Sequence, residues 1–186
     1  MTDTANPPRR PLLNGWRIAG WGSLGAILLL PALAMRLEVA GVDWTASDFV
    51  FAALLLGFLG GVVELAVRFA RGRAGRAGFL LAGFTAFFTV WSNAAVGIIG
   101  EDDRVNSLFF LMVIAGLVAS AAMRFRPRAM RWIAGALAAG QYAAGIASLW
   151  MMPGHATEWG VLTMLALLWG ASAWCFHRAA HTPRAG

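Results

Sequence analysis

Residues 49–76 read FVFAALLLGFLGGVVELAVRFARGRAGR, a long apolar run interrupted by one acid, Glu64, and closed by Arg68, Arg71, Arg73 and Arg76. About 20 apolar residues are enough for a helix to cross a bilayer. Arginine accumulates at the cytoplasmic ends of such helices. The stretch therefore predicts a transmembrane helix that ends in the cytoplasm. Just before it, Thr45-Ala46-Ser47-Asp48 carries the S/T-x-x-D/E signature that satisfies the free amides of a helix start. Gly57, Gly60 and Gly61 make a smooth strip along the run, with Gly57 and Gly61 at the GxxxG spacing that lets two backbones approach.

The same alternation extends in both directions. Arg9, Arg10 and Arg17 precede the first apolar run, and Arg36, Glu38, Asp43 and Asp48 follow it. Beyond Arg76 come an acidic break at Glu101, Asp102, Asp103 and Arg104, a basic one at Arg124, Arg126, Arg128 and Arg131, then His155 with Glu158, and finally His177, Arg178, His181 and Arg184. The expected fold is an all-α, polytopic transmembrane helix bundle of six spans with both termini cytoplasmic, in a bacterial inner membrane. The spans are expected at about 18–35, 49–69, 79–99, 107–123, 132–152 and 159–176. Residues 1–15 read as a disordered cytoplasmic tail, 16–180 as the membrane domain and 181–186 as a short cytoplasmic tail. Thirteen of the fifteen arginines then fall inside, leaving Arg36 and Arg104; seven of nine acids fall outside, leaving Asp3 and Glu64. Six of nine tryptophans (Trp16, Trp132 and Trp174 inside, Trp44, Trp150 and Trp159 outside) sit at span ends, as an interfacial belt requires. A rival reading of the first span is a signal peptide, with Arg9-Arg10, an apolar run and Ala32-Leu33-Ala34 as the cleavage site.

Composition agrees with a membrane domain. The chain is 59% hydrophobic and only 13% charged, with a mean hydropathy of +0.66, against about a quarter charged in soluble domains. Its net charge of +6 would suggest nucleic acid in a soluble protein, but arginines at helix ends beside an anionic leaflet account for it, so no nucleic-acid partner is expected. Cys175 is the only cysteine, which excludes an intramolecular disulfide and dithiol chemistry.

Few groups inside the spans could carry chemistry. Glu64 lies about 15 residues into its helix, near 22 Å of travel, and an intramembrane acid is a functional candidate by default. Arg68, one turn further, is either its structural ion-pair partner or part of a proton or ion site. Asn93, beside Trp91 and Ser92, is either interhelical glue or part of an outward-facing pocket with Asp48 and Glu101. The acids Glu101, Asp102 and Asp103 with Asp43 and Asp48 offer oxygen ligands for a divalent cation but lack an EF-hand spacing. His177 and His181 share a helix face without a third metal ligand in sequence. No histidine falls within a span, which leaves a transmembrane bis-histidine haem without ligands. Nucleophile-elbow, metalloprotease, Walker and dinucleotide-binding motifs are missing. Neither a cofactor nor a metal is expected.

Three runs, Trp44-Thr45-x-x-Asp48-Phe49, Glu64-x-x-x-Arg68 and Trp91-x-Asn93-x-x-Val96-Gly97-Ile98-Ile99-Gly100, together resemble a group of short bacterial inner-membrane proteins without an assigned activity. The resemblance covers about residues 44–128. It implies a small polytopic membrane protein and brings no functional residue. The expected function is accordingly a non-enzymatic structural or accessory subunit, with the lipid bilayer and a membrane-protein partner, or a second copy through Gly57/Gly61, as its contacts. The alternative is a small transporter or channel with a polar pathway at Glu64/Arg68 or at Asp48/Asn93/Glu101.

Overall fold

The computed structural model describes residues 15–70, 72–96, 98, 103–151 and 157–181. They form six α-helices and, among the described residues, no strand: α1 (Gly15–Arg36), α2 (Ala46–Phe69), α3 (Gly72–Val96), α4 (Asp103–Ala122), α5 (Pro127–Met151) and α6 (Trp159–His181). Four of them, α1, α2, α3 and α6, are long and apolar enough to cross a membrane. Large apolar side chains such as Leu29, Leu54, Ile114 and Leu167 are exposed in mid-helix, a distribution suited to lipid and costly in water. The chain is a helical membrane protein.

Several helices outrun the apolar stretches that announced them. α3 begins at Gly72 rather than near Phe79, and α6 continues to His181, a position assigned to the tail. Hydropathy marks where a helix meets lipid, whereas the helix continues for as long as its backbone is satisfied, and arginine is a good helix former. Pro127 is the first residue of α5, where a missing N–H costs nothing. The turn is made before it. Phe125 N–H donates to Ser120 O (2.9 Å) and Arg124 N–H to Ala121 O (2.9 Å), a Schellman closure with Arg124 at φ +52°. α4 starts at Asp103, which puts Asn106 within its first turn.

The chain divides into two compact units, Met1–Gly60 and Gly61–Gly186. In the first, α1 buries no residue and ends in another Schellman closure. There Val39 N–H donates to Ala34 O (3.0 Å) and Glu38 N–H to Met35 O (3.2 Å), with Glu38 at φ +52°. The expected α2 cap is present in part. Asp48 Oδ2 accepts from Thr45 N–H and from Thr45 Oγ1–H, both at 2.7 Å. Trp44 packs edge-on against Phe49 at 5.3 Å, the staple that fixes the entry of the chain. The close-approach glycine is Gly60, where a Cβ would lie 2.7 Å from the Trp21 ring. A Cβ on Gly57 or Gly61 would meet nothing within 4 Å among the described residues.

In the second unit α3 packs on α4, α4 on α5, α5 on α6 and α6 on α3, closing a four-helix ring. Its seams are glycines seated under large side chains: Gly78 under Phe176, Gly116 under Leu137, Gly140 under Met112 and Gly145 under Leu162. Two of these glycines, Gly140 and Gly145, stand on α5, one facing α4 and the other α6. Residues 61–69 of α2 join through Val62, which lies on Gly83, and through Ala66. Two apolar clusters cap the ring. Ala66, Phe79, Met130 and Phe176 gather at the end bearing Arg73 and Arg131, where Phe79 meets Phe176 edge-on at 5.1 Å. Ile98, Phe109, Ala144, Leu162 and Leu165 gather toward the other end.

Candidate polar site in the helix bundle

Among the buried residues of the ring are several polar ones. On α3, Thr85, Thr89, Ser92 and Asn93 are all buried, and their i, i+4, i+7, i+8 spacing puts them on one helix face. Gln141 on α5 and Ser172 on α6 are fully buried, and Ser148 on α5 nearly so. Most of these groups are already satisfied. Thr85 Oγ1–H donates to Leu81 O (2.7 Å), Thr89 Oγ1–H to Thr85 O (2.8 Å) and Ser148 Oγ–H to Gly145 O (2.7 Å). Such back-bonding lets a hydroxyl sit in an apolar interior at little cost. Ser172 Oγ–H instead crosses to α3, donating to Gly78 O at 2.9 Å.

Two buried groups differ. Neither Gln141 Oε1 nor Gln141 Nε2 has a hydrogen-bond partner, and neither has Trp169 Nε1. Gln141 is 0% exposed and Trp169 4%. The register of α5 on α6 places them near one another. Arg131 pairs with His177, Tyr142 with Thr163 and Ser148 with Thr157, so the helices run antiparallel and Trp169 lies opposite Leu137, one turn from Gln141. Side chains on a helix lean toward its N-terminus, and α5 and α6 point opposite ways. Gln141 and Trp169 therefore lean toward one another. On the α3 side, Gly78 beneath Phe176 and Gly75 against Ala179 bring Thr85 to the level of Trp169.

The expected site residues are distributed differently. Asn93 Nδ2–H donates to Asn106 O at 2.8 Å, and Asn106 Oδ1 accepts from Ile98 N–H at 3.1 Å. Asn93 thus ties α3 to the start of α4, while its Oδ1 remains unpartnered. Asp48 is engaged in the α2 cap. Glu101 lies outside the described residues. Glu64 is half-buried in α2, and Arg68, one turn on, is exposed. Among the described residues no group of three or more His, Cys, Asp or Glu could hold a metal. His177 and His181 stack with ring centroids 4.3 Å apart, and His177 Nδ1 is 3.1 Å from Arg131 Nη1. Arginine can only donate, so that ring nitrogen is an acceptor already in use. Cys175 is half-buried in α6.

Charge and polar clustering in the sequence point to Ser92 and Asn93 but not to Thr85, Thr89, Gln141 and Trp169. The signals were available: Gln141 is the chain's only glutamine, in mid-helix, and Thr85 and Thr89 extend the α3 stripe at helical spacing. Trp169 is also the tryptophan that lies in mid-helix and, alone of the nine, in the buried core. Comparison with protein-family models, with curated proteins and with solved structures finds no match for the chain.

Proposed function

We propose that this is a non-enzymatic integral membrane protein of the bacterial inner membrane, crossing six times with both termini cytoplasmic, whose α3–α6 ring holds and passes a small polar solute. The observation that carries this reading is the fully buried Gln141, both of whose amide heavy atoms lack a partner. Leaving such a group dry costs about 1–3 kcal/mol, and a bound small molecule, water included, would remove that cost. The α3 stripe supplies further hydrogen-bonding positions toward Asn93. Glu64 and Arg68 stand on α2, outside the ring, and serve as a packing element in this reading.

The test is purified protein in liposomes, with uptake of small polar solutes followed by stopped-flow light scattering. Uptake above that of protein-free liposomes, lost in Gln141→Met and retained in Glu64→Gln, supports the proposal. Uptake equal to protein-free liposomes for every solute, with the protein folded and correctly inserted, overturns it.

A second reading, a structural or accessory subunit, is favoured by one observation. α1 buries none of its residues, and a Cβ on Gly57 or Gly61 would meet nothing within 4 Å among the described residues. A partner helix or a second copy would lie against these surfaces. Crosslinking through a cysteine introduced at Gly57 would report such a neighbour.

A further inference from the structure

Resting on the solute-handling reading above, we infer that the level of Gln141 and Trp169 is a binding site for a small neutral molecule bearing a carbonyl or hydroxyl oxygen together with an N–H or O–H, an amide- or polyol-like solute, and that it rejects ions. The donor and acceptor inventory sets the ligand chemistry. Gln141 presents two N–H donors on Nε2 and one acceptor, Oε1, and Trp169 presents one N–H donor; none of these three atoms has a partner. Donors predominate, so the ligand must offer an acceptor oxygen. It must also donate, to satisfy Oε1. Thr85 and Thr89 have given their hydrogens to their own helix, which leaves oxygen lone pairs as the remaining acceptors on the α3 side.

Charge rules out the alternative class. Residues 77–96, 105–123, 132–151 and 159–176, which form the ring between its ends, contain no Asp, Glu, Arg or His. An ion brought to mid-ring would lose its hydration without a counter-charge, and the uncompensated cost of that in an apolar surround is several kcal/mol. A neutral amide or polyol loses only hydrogen bonds, which Gln141 and Trp169 return. The two side chains lean toward each other from antiparallel helices one turn apart, about 5.4 Å along the axis.

The experiment uses the full chain in liposomes, with urea and glycerol as neutral probes and potassium and chloride as ionic ones, and compares wild type with Gln141→Met and Trp169→Phe. Folding of each variant is established by circular dichroism and by a monodisperse elution profile in detergent. The expected result is urea or glycerol uptake above protein-free liposomes, potassium and chloride at the protein-free rate, and a fall of about tenfold or more in each variant, the equivalent of one lost hydrogen bond. Ion flux above the protein-free rate overturns the inference. So does neutral flux that both folded variants retain, although the protein would still be a solute carrier. No flux of any probe removes the carrier reading itself, and the inference with it.

Discussion

Replacing Gln141 by leucine should make the protein more stable, which is the opposite of what a core polar residue that holds helices together would do. Leucine is close to glutamine in volume, so no large cavity opens. The substitution removes a buried amide whose oxygen and nitrogen both lack partners and whose side chain is 0% exposed. An unsatisfied buried polar group costs about 1–3 kcal/mol, and that cost disappears with the amide. Were Gln141 instead bonded across helices, its loss would cost about 0.6–1.7 kcal/mol, the range of interhelical hydrogen bonds in membranes. The two cases differ in sign. The assay is reversible unfolding in mixed micelles with increasing SDS, followed by circular dichroism, with wild type and Gln141→Leu at equal protein concentration and without added solute. A stabilisation of about 1–3 kcal/mol is expected. A loss of stability of about 1 kcal/mol or more would show that the amide has partners, and the polar-site argument would fail with it. Trp169 is the poorer probe, because shrinking an indole adds a cavity penalty that confuses the sign.

Gly83→Ala sets a methyl group against Val62, a stiff β-branched neighbour, and should cost about 1–3 kcal/mol as overpacking, measured by the same SDS titration; Gly57→Ala, with open space around it, should cost nothing comparable. A double-mutant cycle on Asn93→Ala and Asn106→Ala should give a coupling below about 2 kcal/mol, because Asn93 bonds the Asn106 backbone carbonyl, which survives the second substitution. Asn106→Ala alone should be the more damaging of the two, since it leaves the buried Ile98 N–H without its acceptor, and amide exchange at Ile98 would rise. Glu38→Gly should stabilise by about 0.5–1 kcal/mol, since glycine takes a left-handed conformation without the penalty that a side chain carries at φ +52°; unchanged or lower stability would argue against the Schellman end of α1.

Helices were legible in the sequence because the signals that make them are local. Hydropathy, the Thr45–Asp48 cap and the arginines at the run ends can each be read within a few residues. The glycine contacts were not legible in the same way. GxxxG spacing picks out Gly57 and Gly61 as a smooth strip, but which glycine receives a ring depends on where Trp21 falls, and Trp21 falls on Gly60. The site was less legible still. Charge drew notice to Glu64, which the fold leaves half-buried in α2. Gln141 carries no charge and lies in an alanine- and glycine-rich run whose inward face is set by Gly140 and Gly145 meeting Met112 and Leu162. Only the register of four helices brings it to the level of Trp169 and Thr85.

That register also explains why polarity in the ring can be extensive without being uniformly costly. Thr85, Thr89, Ser120 and Ser148 each return their hydrogen to a carbonyl of their own helix, so their levels are satisfied whether the interior is dry or wet. Asn93 gives an Nδ2–H to the Asn106 carbonyl and Asn106 Oδ1 takes the Ile98 N–H, which leaves the single atom Asn93 Oδ1 unmet at that level. Only at the level of Gln141 and Trp169 does a dry interior leave several strong hydrogen-bonding atoms unmet. A small polar molecule moving along the ring would find adequate but weak acceptors at most levels and a concentrated donor set at one. Residence would then be longest there, and selection would occur at a single depth rather than along the whole path. On the proposed reading, recognition would fall on α5 and α6, the pair held in register by the Tyr142–Thr163 and Ser148–Thr157 bonds and the Gly145 seat on one side of that level and by the Arg131–His177 contact on the other.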